Sequence, residues 1–193
     1  MISHGAGRRV MRAALHLCLL SVCALLVASS AHSQTLWYVS PDGDDGNAGT
    51  DPASSFRTIQ RAIDEAADGD VVVLADGAYS GTGNRDVDLS GKAITVRSQG
   101  GDPGSCLVDA GGSPGDPAVA FVFTGGETRA TVIEGLTITG GYPAGVLVSP
   151  PSLDSSPTIR NVILEGNPGD GLLAEGQSGN SPFVSPRIVS TVA

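Results

Sequence analysis

Four aspartates fall within ten positions near the start of the chain, in "SPDGDDGNAGTDP" (residues 40–52). Crowded carboxylates separated by glycines are the raw material of a calcium loop: hard oxygen ligands on a sharply turned backbone. The spacing departs from the template D-x-[DN]-x-[DN]-G. Asp42 and Asp44 fit, but Gly46 occupies the third ligand position and Asn47 the glycine position. Asp-Gly and Asn-Ala-Gly also form turns, because Asp and Asn bond to nearby backbone and Gly takes positive φ. The expectation is an acidic turn. A looser calcium site from Asp42, Asp44, Asp45 and Asp51 is the alternative.

Missing residue types limit the other chemistry. Residues 1–33 read as a secretory signal peptide: Arg8, Arg9 and Arg12, then an apolar run from Ala13 to Ala28, then Ala31 and Ser33 placed for cleavage before Gln34. The run is short for a membrane-spanning helix, which needs roughly 20 residues. Valine before Cys23 disfavours lipidation there. All three histidines (His4, His16, His32) and two of the three cysteines (Cys18, Cys23) lie in this segment. Beyond it, Ser-His-Asp, Cys-His and histidine–zinc chemistry have no histidine to use. Cys106 is left without a disulfide partner and, in apolar "SCLVDA", reads as a buried structural thiol. Loss of the segment takes the formal charge from −9 to −12. That charge repels nucleic acid and opposes unaided binding of acidic polysaccharides.

The remaining length suits one domain. Residues 34–69 read as a first strand, "LWYVS", the acidic turn and one amphipathic helix within "SSFRTIQRAIDEAADGD". Phe56, Ile59, Ile63 and Ala66 make its apolar stripe, Ser54 or Ser55 its N-cap and Gly69 its C-terminal stop. Arg61 and Glu65 are an i,i+4 pair. From residue 70 to 193 the chain is strand and turn only, from "DVVVLADGAYSG" through "KAITVRSQGG" and "AVAFVFTGG" to "SPRIVSTVA".

These units repeat. "VIEGLTITGGYPAGVLV" (132–148) aligns without a gap on "TIRNVILEGNPGDGLLA" (158–174) at an offset of 26, placing Ile133 over Ile159, Leu136 over Val162 and Val146 over Leu172. "SPRI" (185–188) echoes "SPTI" (156–159) at an offset of 29. A period in the twenties with several short strands per repeat marks a solenoid. Alternation puts Val132, Glu134, Leu136 and Ile138 on one side, with Glu134 near a bend. Asn161 and Asn167, at turn positions, are expected in structural asparagine ladders. The final coil looks incomplete, with Ile188, Val189, Thr191 and Val192 at an open edge. Such an edge recruits other strands, so end-to-end association is expected. The order of residues 176–193 is expected to be the lowest.

"YVSPDGDDGNAGT", "FRTIQRAIDEAADGD" and "ADGAYSG" resemble the opening module of secreted bacterial right-handed parallel β-helix proteins, the pectate-lyase-like superfamily, and in particular that of family-nine polysaccharide lyases. "LSGKAITVRS", "GETRATVIEGLTITGG" and "SPTIRNVILEGN" resemble coils of the same superfamily. The resemblance implies an all-β fold: a short right-handed parallel β-helix with one N-terminal capping helix.

A lyase of this kind needs a base, usually Lys or Arg, beside a calcium ion or other cation that stabilises the carbanion. Lys92, in "SGKAI", reads as a solvated strand-entry residue. Arg97, Arg129 and Arg160 are bases of the same weak kind, and no acidic cluster adjoins any of them in sequence. No catalytic residue is therefore assigned and no cofactor beyond the calcium alternative. Trp37 and Tyr38 could stack on sugar, but are expected to pack under the cap. The first functional reading is a secreted, non-catalytic β-helix protein that presents a surface to carbohydrate or the cell envelope. It leaves open a fragment of a larger surface protein. The second is a calcium-assisted polysaccharide lyase.

Overall fold

The computed structural model describes residues 33–149, 155–175 and 187–189. Strands β1 (Leu36–Val39), β2 (Val71–Leu74), β5 (Thr95–Ser98), β8 (Val132–Thr139), β10 (Thr158–Leu164) and β12 (Arg187–Val189) lie side by side in one sheet. Strands β3 (Gly77–Ser80) and β6 (Cys106–Asp109) extend it across a corner, β6 pairing with the second half of β8. A second sheet has the order β11 (Asp170–Ala174), β9 (Ala144–Val148), β7 (Phe121–Phe123), β4 (Val87–Asp88). Every strand pairing within these sheets is parallel, so the chain winds as a solenoid.

The registers follow the repeat. Ile159 pairs with Ile133, Val162 with Leu136 and Leu172 with Val146, each 26 residues apart, and Ile188 pairs with Ile159, 29 apart. Earlier coils are less regular: Val72 pairs with Val96, but Val96 with Ile133. The longer interval holds the excursion over residues 99–105 and its 3₁₀ turn, Pro103–Ser105. Inward side chains stack in columns, among them Val72–Val96–Ile133–Ile159, fully buried throughout. Each coil thereby covers the apolar floor of the next. Of the expected C-terminal segment only β12 is described. Thr191, Val192 and the rest of residues 176–193 lie outside the described residues, as do residues 1–32.

Two sequence expectations are corrected here. Along β8 it is Ile133, not Val132 and Glu134, that points inward, followed by Leu136 and Ile138. The parity shifts because Gly135 takes φ +69° and turns the strand; Asn161 does the same with φ 49° one coil later. The helix is also shorter. Helix α1 spans Ile59–Glu65 and is capped by Thr58, whose hydroxyl accepts from Arg61 N–H at 3.4 Å. Residues 52–54 form a separate 3₁₀ turn capped by Asp51, so Ser54 and Ser55 do not cap α1. Gly69 has positive φ but lies beyond the helix end, in the turn entering β2. The apolar stripe holds: Phe56, Ile59, Ile63 and Ala66 are all buried, although Phe56 precedes the helix. Arg61 and Glu65 pair at 2.6 Å.

Candidate functional site

The acidic loop serves α1. Both Arg57 and Thr58 donate their backbone N–H groups to the Asp45 carboxylate at 2.9 Å, and the Thr58 hydroxyl donates to it as well. Asp44 accepts from Gly46 N–H, and Asp51 from Ala53 and Ser54 N–H and the Ser54 hydroxyl. The Ser54 contact, followed by the backbone bonds, holds the Asp51 carboxyl below the usual range despite opposing desolvation. Asp42 lends only its backbone N–H, to the Ser40 hydroxyl. Among the described residues no three His, Cys, Asp or Glu side chains are gathered as a metal site.

Lys92 is partly exposed at the strand entry, as expected, but its ammonium is engaged. Its Nζ donates to the carbonyls of Ile63 (2.6 Å) and Asp64 (3.1 Å), the last turn of α1. A cation there satisfies carbonyls that have no partner within the helix and meets the negative end of the helix dipole. Lys92→Met is expected to lower unfolding free energy by about 1 kcal/mol, measured by urea denaturation. Arg129 stands exposed on the loop before β8.

The structure does gather the other two arginines. Arg97 pairs in register with Glu134, and Glu134 with Arg160, so the three form one outward row across β5, β8 and β10. Arg160 Nε forms an ion pair with Glu134, whose side chain is 25% exposed against 48% for Arg160. Arg97 bonds only to the carbonyl of Ser98, at 3.1 Å, and has no ion pair among the described residues. Beside this row lies a depression of about 310 Å³ lined by Arg97, Ser98, Gly101, Glu134, Gly135, Arg160 and Asn161. It sits at the sheet corner, where Gly135 and Asn161 turn the chain and Gly101 adds to the lining. The Ser98 hydroxyl is buried and has no hydrogen-bond partner in the protein. The sequence kept the two arginines apart, 63 positions from each other; only the 37-residue coil interval, invisible to the 26-residue repeat, brings Arg97 under Glu134.

Asn161 and Asn167 do not form an asparagine ladder. Asn161 donates to Gly101 O across the corner. Asn167 accepts from Gly141 N–H and donates to the carbonyls of Ile138 and Glu165. Each ties a coil to backbone instead. Trp37 packs against Phe56 (centroids 6.1 Å apart) and donates to Asp70, beneath the cap as expected. Tyr38 is half-buried, in the same outward row as Arg97 with Val73 between them.

A second depression of the same size lies on the other sheet. It is apolar, with Val122, Tyr142, Pro143 and Leu147 in its lining and Asp86 as the one carboxylate. Asp86 is engaged by Val119 N–H and Arg85. The cationic corner therefore holds the larger set of hydrogen-bonding groups.

No family model matches the chain. The chain is similar to pectate lyase PEL9 of Emericella nidulans, 39% identical over 84 residues. That match covers 42% of this chain and spans 20% of the relative's length. The parallel β-solenoid and this match together fit a pectate-lyase-like β-helix superfamily.

Proposed function

We propose that this pectate-lyase-like β-helix protein acts outside the cell as a carbohydrate-contact protein and not as a lyase. One observation carries the reading: Lys92, the single lysine, is committed to the carbonyls that end α1 and cannot reach a substrate proton without releasing them. Arg160, a second possible base, is paired with Glu134. The outer face instead offers groups that bind sugars: guanidinium forks that donate in pairs and a carboxylate that accepts from hydroxyls. The similarity to pectate lyase PEL9 supports both an extracellular site of action and a polysaccharide as partner.

The same similarity is the ground for the other reading, a calcium-assisted lyase. The two separate in one experiment. Purified protein is incubated with pectate and calcium at alkaline pH, and unsaturated product is followed by ultraviolet absorbance. In parallel, retention on insoluble polysaccharide is measured. The expected result is retention without turnover. Turnover abolished by Lys92→Ala, Arg97→Ala or Arg160→Ala, in variants that keep the parent circular dichroism, would establish the lyase.

A further inference from the structure

We infer that the outward face of the second sheet is a docking surface for a basic amphipathic helix of a partner protein. The inference goes beyond the carbohydrate-contact reading and does not depend on it. On the first sheet an outward row is charged, Arg97–Glu134–Arg160. On the second sheet the outward row is aliphatic: Val122 pairs in register with Leu147, and Leu147 with Leu173. Val122 stands between buried Phe121 and Phe123, and Leu147 between buried Val146 and Val148, so both point away from the core. Each is only half-buried. Leu173 alternates in the same way with Leu172, which packs against the core. Pro117, Tyr142 and Pro143 extend this apolar surface around the depression of about 310 Å³. Contiguous outward apolar side chains inside a polar rim mark an interaction surface.

The rim indicates what covers it. Asp88 continues the row beyond Val122, and Asp86 lines the depression. Arg85, the cation bonded to this rim, is already shared between Asp86 (3.3 Å) and Asp116 (3.2 Å). Three carboxylates against one guanidinium leave this end of the row negative. Near the other end, Asp170 and Glu175 stand exposed at the two ends of β11. A second copy of this chain, of net charge −9, would bring the same acidic rim and be repelled, as would an anionic membrane. Aliphatic side chains flanked by Lys and Arg complement both the row and its rim. The spacing suits a helix. The row advances about 4.8 Å from strand to strand, and a helix laid along it presents its apolar stripe once per turn, about every 5.4 Å.

The probe is a fluorescein-labelled amphipathic peptide of leucine and lysine, read by anisotropy at low salt, with a leucine–glutamate peptide as control. Binding of the lysine peptide alone is expected. Leu147→Asp should weaken it about 10-fold, because a carboxylate is then buried under the peptide in place of an apolar contact. A purely electrostatic attraction would instead strengthen, since that variant is more acidic. Leu147 points outward, so the variant should keep the parent circular dichroism. A second measurement uses the parent protein alone: the peptide should shield Tyr142 from nitration and leave Tyr38, on the first sheet, as reactive as before. No binding, equal binding of the glutamate peptide, unchanged or tighter binding in Leu147→Asp, or equal shielding of both tyrosines would each overturn the inference. So would two results that give the face to another occupant. Dimerisation of the parent, seen by light scattering and lost in Leu147→Asp, assigns it to a second copy. Shielding of Tyr142 by a neutral glucan oligomer and not by the peptide assigns it to a glycan.

Discussion

Glu127→Ala is expected to lose about 3–5 kcal/mol of unfolding free energy, a large share of the roughly 5–15 kcal/mol typical of a domain. Glu127 is fully buried, and its carboxylate joins three successive coils. It accepts from Gly91 N–H at 2.9 Å, from Gly125 N–H at 3.1 Å and from the Ser155 hydroxyl at 2.8 Å. Ser155 is itself fully buried and accepts from Gly126 N–H. Alanine leaves these donors without acceptors and opens a hole beneath them. Each buried orphan costs about 1–3 kcal/mol, and the terms do not add fully because the groups share one network. Glu127→Gln keeps one acceptor oxygen but turns an N–H toward donors, so an intermediate loss of about 1–2 kcal/mol is expected. Urea unfolding of the three proteins reads the difference. A loss under about 1 kcal/mol for the alanine variant would mean that water takes over the contacts and that the three stacked turns are not held by this carboxylate.

The second large effect is alkaline. Cys106 is fully buried in the core, and desolvation, aided by the charge of Asp76, pushes its thiol up to about 12. Tyr79, also buried, donates its hydroxyl to the carbonyls of Val39 (3.1 Å) and Ala75 (2.7 Å). Burial, followed by Cys106 and Asp76, raises it well above the ordinary phenol range. Both groups are neutral when protonated, and both hold their protons more tightly folded than unfolded. Their contribution is therefore complete below the unfolded values, near 9 for the thiol and 10 for the phenol. It is lost as pH rises toward the folded ones. At pH about 10.5 the thiol alone should have withdrawn about 2 kcal/mol relative to neutral pH, at 1.36 kcal/mol per pH unit. Urea midpoints between pH 7 and 10.5 should fall steeply in the parent and less steeply in Cys106→Ala, whatever the constant cost of the small cavity. Parallel slopes would show that the thiol ionises in place. The same burial should protect Cys106 from alkylation at pH 8 until the protein unfolds.

How much of this was readable beforehand differs by element. The repeat of 26 carried its own register, because parallel coils stack like on like and an apolar position in one coil needs an apolar floor in the next. Ile133 over Ile159 and Leu136 over Val162 were visible as a ladder before any strand was placed. The cap was legible in kind, since Ile59 and Ile63 had to be buried together, but not in extent. Thr58 and Asp45 compete with the serines for the helix start through contacts 13 residues apart in sequence. Side-chain alternation failed at Glu134 because one backbone dihedral, at Gly135, reverses the facing of every residue before it relative to those after.

From its own order of residues, then, the chain determined a parallel solenoid with a helix at its N-terminal end, few reactive side chains and one acidic turn. These follow from local periodicity, turn chemistry and composition, which act between neighbours or between equal positions of a repeat. The tertiary structure alone decided where the cations went. Lys92 closes a helix 28 residues behind it, and Arg97, Glu134 and Arg160 meet in one row although the two coil intervals differ, 37 residues and 26. No local pattern encodes that meeting. It results from closing loops of unequal length onto a common ladder, and the energy that selects it comes from burying Val96 against Ile133, on the opposite face of the same strands.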